Sequence, residues 1–344
     1  MDTGKLRETA NAMVAPGKGI LAADESAPTI KKRFDSINAE SNEDNRRYYR
    51  EMLFRTQGAA EFISGVILFD ETLRQNAEDG TRLVDVLTSQ GVIPGIKVDK
   101  GAKPLPGADG ETVTEGLDGL RERLAEYASL GARFTKWRAV ITVGHTIPST
   151  YCIQANAHAL ARFAALSQEA GVVPIVEPEV LMDGDHDIDK CYKATDAALR
   201  ELFYQLGHQR VDLPGTILKP NMVLSGKSAT NRATPEQVAE ATVACFQDTV
   251  PAAVPGIVFL SGGQSDEEAT VNLDAINRRA ASVGTPWELS FSYGRGLQAA
   301  PLAAWGGKTA NRAAAQAAFY HRARVTAAAR RGAYDKSMET TSAS

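Results

Sequence analysis

Short apolar runs rich in β-branched residues recur at residues 19–23, 65–69, 93–98, 134–141, 172–176, 216–218, 257–260 and 289–293, which predicts eight strands. Between them, residues 117–130, 155–170, 189–206, 235–249 and 267–280 carry apolar positions at helical spacing. Thr234-Pro235-Glu236-Gln237 reads as a helix start. The threonine caps, the proline suits the first helical position, and the acid sits in the first turn.

Strand and helix alternate throughout, and no Ser/Gly linker or low-complexity block divides the chain. Eight βα repeats in about 300 residues predict an α/β fold, a single (β/α)8 TIM barrel. It would take residues 1–344 as one unit with its core at about 17–320. The alternative is a doubly wound sheet, which would carry a GxGxxG turn after the first strand. Gly17-Lys18-Gly19-Ile20-Leu21-Ala22 lacks the third glycine. From Arg322 the chain becomes alanine- and arginine-rich and then polar to Ser344, which predicts a last helix and a mobile tail over about 321–344.

The composition, 43% hydrophobic and 23% charged over 344 residues, is that of an ordinary globular protein. With 38 basic and 42 acidic side chains the net charge is -4, so no global basic field argues for nucleic acid or a membrane surface. A small anionic ligand would need local positive charge. Cys152, Cys191 and Cys245 are few, distant and odd in number, which fits reduced thiols with structural roles. The first residues are polar and no apolar run has membrane-spanning length, so the expected location is the cytoplasm.

Charged residues gather at the C-terminal ends of the predicted strands, the face on which barrels build active sites. Asp24 and Glu25 follow the first strand, Lys97 and Asp99 lie at the third, and Lys136 and Arg138 in the fourth. Glu177 and Glu179 follow the fifth and Lys219 the sixth. Strand side chains alternate, so Lys136 and Arg138 share one side, as do Glu177 and Glu179.

Lys219 stands out, because an amine at the end of the apolar run Thr216-Ile217-Leu218 invites covalent carbonyl chemistry. A free lysine at pH 7 is neutral in only about one molecule in 2500. Burial lowers its pKa, and so does a second cation. Two unit charges about 4 Å apart at an effective dielectric of about 20 repel by roughly 4 kcal/mol, or about three pKa units. Lys136 is the candidate second cation.

Glycine turns follow the last two strands, Ser261-Gly262-Gly263 and Gly294-Arg295-Gly296. At those positions barrels often hold a phosphate with backbone N–H groups, and Arg295 adds further donors. Asp183-Gly184-Asp185-His186-Asp187 suggests a calcium loop but fails on spacing, since Ile188 and Ala194 occupy the required glycine and glutamate positions. His145, His158, His186, His208 and His321 show no metal-ligand spacing, so neither a metal nor another cofactor is expected.

At these residues the chain strongly resembles the class I, Schiff-base-forming fructose-1,6-bisphosphate aldolases. The motifs are GKGILAADES at 17–26, SGVILFDETL at 64–73, GIKVDKG at 95–101, TKWRAV at 135–140 and VPIVEPE at 173–179. DGDHD at 183–187, LKPNMV at 218–223, FLSGGQS at 259–265 and FSYGR at 291–295 complete the set. The resemblance implies reversible cleavage of fructose 1,6-bisphosphate to dihydroxyacetone phosphate and glyceraldehyde 3-phosphate, in glycolysis and gluconeogenesis. It implies that Lys219 forms an imine with the ketose, Glu177 shuttles protons, Glu179 supports it, Lys136 is the neighbouring cation and Asp24 serves carbon–carbon cleavage. Ser261, Gly262, Gly263, Gly294 and Arg295 correspond to the 1-phosphate site. Lys97, Arg138, Arg33 and Ser26 correspond to groups toward the 6-phosphate. The family commonly assembles as homotetramers.

Two departures stand out. Relatives often read DESTGS where this chain reads Asp24-Glu25-Ser26-Ala27-Pro28-Thr29, which passes a 6-phosphate contact to Thr29. The animal enzymes end in a tyrosine that helps proton transfer. This chain ends Ala343-Ser344, and its nearest tyrosine is Tyr334, so that step is expected to be absent or altered. The imine motif does not separate fructose 1,6-bisphosphate from sedoheptulose 1,7-bisphosphate or fructose 1-phosphate. A catalytically silent scaffold would be favoured by loss of Lys219, Glu177 or Asp24, and all three are present.

Overall fold

All eight predicted strands are present, each within a few residues of its predicted place: β1 (Gly19–Ala23), β2 (Ile63–Leu68), β3 (Ile93–Lys97), β4 (Phe134–Ile141), β5 (Val173–Val180), β6 (Ile217–Leu218), β7 (Gly256–Phe259) and β8 (Glu288–Tyr293). In this computed structural model, which describes residues 2–340, they form a closed ring. Every neighbouring pair is parallel, and β8 returns to β1. The fold is thus a TIM barrel, and the doubly wound alternative falls because that sheet keeps two open edges.

Side-chain alternation sorts the strands into two cores. Ile20, Ala22, Ile67, Phe134, Val173, Ile175, Ile217 and Val258 pack together inside the ring. Leu21, Ala23, Trp137, Val176 and Leu218, of opposite parity, pack outward against the helices. Phe134 fills the barrel so tightly that a side-chain carbon at Gly95 would lie 2.2 Å from its ring, so β3 needs glycine there. The N-terminal helix Thr3–Met13, which the apolar pattern did not announce, closes the barrel floor with Leu6, Ala10 and Met13.

The outer helices include Leu120–Leu130, Thr150–Glu169, Ile188–His208, Pro235–Thr249 and Asp266–Val283, each overlapping its prediction. At Thr234 the expected cap is a full capping box, reciprocated by Gln237. Asp187 caps the Ile188–His208 helix, and Asp189 lies in its first turn. A short antiparallel hairpin, Ala102–Pro104 with Thr112–Thr114, lies between β3 and β4. Its strands are three residues each, too short to register as apolar runs.

The last helix begins earlier than expected and runs Arg312–Arg330. The chain beyond it stays docked as far as Thr340. Tyr334 is buried, its N–H donates to Asp274 Oδ1 at 2.8 Å, and its hydroxyl donates to Glu339 at 3.1 Å. Arg322 also pairs with Glu339. The expected mobility therefore does not extend to residues 332–340, because one aromatic and two ion-bearing side chains anchor a segment that reads as polar. Residues 341–344 lie outside the described residues. Among the described residues no helix is long and apolar enough to cross a membrane.

Candidate active site

The parity that puts Phe134 inside the barrel carries Lys136 and then Arg138 up the same wall to the C-terminal mouth. In β5, Val173 and Ile175 are followed on that side by Glu177 and Glu179. In β6, Ile217 is followed by Lys219, and in β1, Ala22 by Asp24. Apolar packing at the floor thereby fixes the height and direction of the charged groups above it.

Lys136, Glu177 and Lys219 are each buried to within 4% of full burial. Glu177 bridges the lysines: Lys219 Nζ lies 3.2 Å from its Oε1 and Lys136 Nζ 2.8 Å from its Oε2. Lys136 has a second anion, Asp24, at 3.0 Å. Partner count decides how the lysines titrate. Burial would lower Lys136, but Asp24, Glu177 and Asp99 outweigh it and hold the ammonium above its ordinary range. Lys219 is lowered, because burial and repulsion from Lys136 outweigh the pull of Glu177 and Asp24. Burial opposes ionisation of Asp24 as well, yet Lys136, Lys219 and Lys97 hold its pKa below the usual carboxylate range. Glu177 is held low against burial by Lys136, Lys219 and Arg138.

Two cationic regions flank this cluster. On one side Asp99 accepts Lys97 Nζ at 2.8 Å and the Arg138 backbone N–H at 3.2 Å, clasping β3 to β4, while Arg138 pairs with Glu179. Arg33, on the Ala27–Asp35 helix, pairs with buried Glu25. Ser26 and Thr29 hydroxyls stand 3.1 Å apart at that helix's start. On the other side Gly262 adopts a left-handed φ of 55°, and Arg295 Nη2 donates to the Gly262 and Gln264 carbonyls at 2.7 and 2.8 Å. Gly294 heads the Arg295–Trp305 helix without a side-chain cap, and it lines the cleft with Arg295, so a helix start, a favourable place for an anion, lies at the mouth.

Every candidate site residue lines one cleft of about 750 Å³, Gly263 and Gly294 included. Sequence reasoning assigned no role to Lys32, Ser36, Lys227 or Ser292, which line it too. It also missed the support beneath Glu25. Arg50, itself buried, donates to the Glu25 carbonyl at 3.0 Å, and Gln298 donates to Glu25 Oε1 at 2.7 Å. These partners come from distant helices and have no local signature. Among the described residues no group of three or more His, Cys, Asp or Glu side chains is placed to hold a metal ion. The three cysteines are free, buried and outside the cleft.

Residues 5–344 match the family model described as fructose-bisphosphate aldolase class-I. The chain belongs to the class I fructose-bisphosphate aldolases. A probable fructose-bisphosphate aldolase class 1 of Xanthomonas axonopodis pv. citri is 58% identical over 325 residues, covering 94% of this chain and 96% of that protein. The cytoplasmic isozyme of Spinacia oleracea is 53% identical over 330 residues, covering 96% and 92%. A solved structure of fructose-bisphosphate aldolase from Plasmodium falciparum, in complex with TRAP and a small-molecule inhibitor, superposes with a TM-score of 0.94 at 48% identity, covering 96% of this chain and 95% of that one. As a class I aldolase the protein is a carbon–carbon lyase of glycolysis, and the scaffold reading falls.

Proposed function

We propose that this aldolase works through an imine on Lys219, with Glu177 as proton shuttle, Lys136 as the fixed cation and Asp24 as the acceptor of the substrate's C4 hydroxyl proton. One observation carries the reading: two buried lysines share one carboxylate, and among the described residues only Lys136 has a second anion within ion-pair distance. The neutral Lys219 amine attacks the C2 carbonyl, and the resulting carbinolamine loses its hydroxyl as water with a proton from Glu177. The protonated imine draws the C3–C4 bonding electrons into an enamine as Asp24 takes the O4 proton, and the aldehyde leaves. Protonation at C3 and hydrolysis return Lys219 and release dihydroxyacetone phosphate.

Cations at both ends of the cleft favour a ketose bisphosphate, fructose 1,6-bisphosphate, over fructose 1-phosphate. In this reading Ser261, Gly262, Gly263, Gly294 and Arg295 take the 1-phosphate, and Lys97, Arg138, Arg33, Ser26 and Thr29 the 6-phosphate. Glu179 keeps Arg138 aimed. The chain acts as one barrel unit over 1–344, as a homotetramer in the cytoplasm, which agrees with its cytosolic relatives.

An imine route must expel the C2 oxygen as water. Dihydroxyacetone phosphate labelled with oxygen-18 at C2 should lose label on the protein much faster than in buffer. Retention of the label during active turnover would overturn the reading.

A further inference from the structure

Three lysines deep in the cleft, Lys97, Lys136 and Lys219, each meet a carboxylate within 3.2 Å. Lys227 does not. It is exposed, lines the same cleft, and its side chain makes no hydrogen bond or ion pair among the described residues. It does not hang from a loose loop. Its backbone N–H donates to the Met182 carbonyl at 2.7 Å, and the residues on either side are tied likewise, Gly226 to the His186 carbonyl at 2.7 Å and Ser228 to the Gly184 carbonyl at 2.9 Å. The two strands of loop lie so close that a side-chain carbon at Gly226 would stand 2.4 Å from the Gly184 oxygen. Met182 in turn borders the glycine turn after β7, where a side-chain carbon at Gly263 would meet its Sδ at 3.2 Å. A pre-positioned rim therefore runs from Lys227 through Met182 to the Ser261–Gly263 turn.

We propose that Lys227 is a further substrate-binding residue, whose ammonium closes over the phosphate held at the Ser261–Gly263 turn from the Met182 side. An unpaired ammonium on a flexible four-carbon stem, at the edge of a partly enclosed cleft, acts as a mobile point charge for a phosphate dianion. Arg295 Nη2 is already bound to the turn's own carbonyls, so Arg295 braces the grip it shares in, and Lys227 adds a charge not committed to any group among the described residues. The contact forms on binding and persists through bond cleavage, so it acts on substrate affinity more than on the chemical step.

This proposal rests on the imine reading above, and the experiment separates the two. Steady-state kinetics of Lys227→Met and Lys227→Arg would be measured with fructose 1,6-bisphosphate and with fructose 1-phosphate. Borohydride trapping would be titrated with dihydroxyacetone phosphate. Lys227→Met should raise KM for both ketoses by about three- to tenfold, with kcat changed less than about twofold. The dihydroxyacetone phosphate concentration for half-maximal trapping should rise in step, and Lys227→Arg should restore all three values to within about twofold. Maximal labelling of Lys219 should be the same in all three proteins, which keeps the imine chemistry in view independently. Unchanged KM for both ketoses would overturn the assignment. A rise for the bisphosphate alone would overturn it too, by placing the ammonium at the other phosphate.

Discussion

Lys136 and Lys219 present their amines to opposite oxygens of the same Glu177 carboxylate, at 2.8 and 3.2 Å. Their unequal surroundings give them opposite tendencies. Lys136, also paired with Asp24, is held in its charged form, and that charge, with burial, lowers the Lys219 pKa. Activation of the amine is thus a property of the pair.

Replacing Lys136 tests that coupling. In Lys136→Ala the repulsion disappears while Glu177 and Asp24 remain, so the Lys219 pKa rises. Trapping requires neutral amine, so its rate climbs with pH through that pKa. The acid limb of its pH profile should move to higher pH, and trapping at neutral pH should slow by about tenfold for every pH unit the limb moves. A profile superposable on the wild type would contradict the coupling.

Glu177→Gln keeps the shape of the side chain but cannot carry a proton between amine and carbinolamine. Turnover should fall by roughly 10²- to 10⁴-fold, with imine formation becoming rate-limiting in rapid-mixing experiments. Wild-type turnover in this variant would remove Glu177 from the mechanism.

The barrel floor can be probed without touching the cleft. A methyl at position 95 meets the ring of fully buried Phe134 at 2.2 Å, and the surrounding core gives that ring little room. Gly95→Ala should cost about 1–3 kcal/mol, read as a lowered Tm. Phe134→Leu added to it should recover part of the loss, since the two sites share one space. An unchanged Tm in the single variant would mean that the floor is looser than described.

Tyr334 offers a test of the chain's end. Its hydroxyl donates to Glu339 and the residue does not line the cleft, so Tyr334→Phe should leave turnover within about twofold. Loss of that hydrogen bond should cost about 0.5–1.5 kcal/mol of stability. Slowed exchange of the C3 proton of dihydroxyacetone phosphate, with trapping intact, would instead give Tyr334 a part in the reaction.

Which features could be read from the sequence follows from the range of the interactions behind them. The strands, and the delivery of Lys136, Glu177 and Lys219 to one mouth, follow from a two-residue period that any stretch of chain displays by itself. Support for Arg33 could not be read this way. It runs through Glu25 to Gln298, a partner 273 positions away, and to Arg50 on a helix with no motif. Asp99 lay in view two residues after Lys97, but its clasp to the β4 backbone is created by strand pairing. Docking of Tyr334 escaped notice for the same reason, because its anchor Asp274 lies 60 residues earlier. Lys227 has no local signature either, and only the main-chain ties to Met182 and its neighbours bring it to the rim.

In the proposed mechanism Lys219, alone among the cleft lysines, forms the covalent bond to substrate. The direct measurement is reduction with borohydride in the presence of dihydroxyacetone phosphate, followed by peptide mass mapping of the inactivated protein. One adduct per chain is expected, on the peptide carrying Lys219, and none on Lys97, Lys136 or Lys227. An adduct on any other lysine, or active protein with none at all, would contradict it.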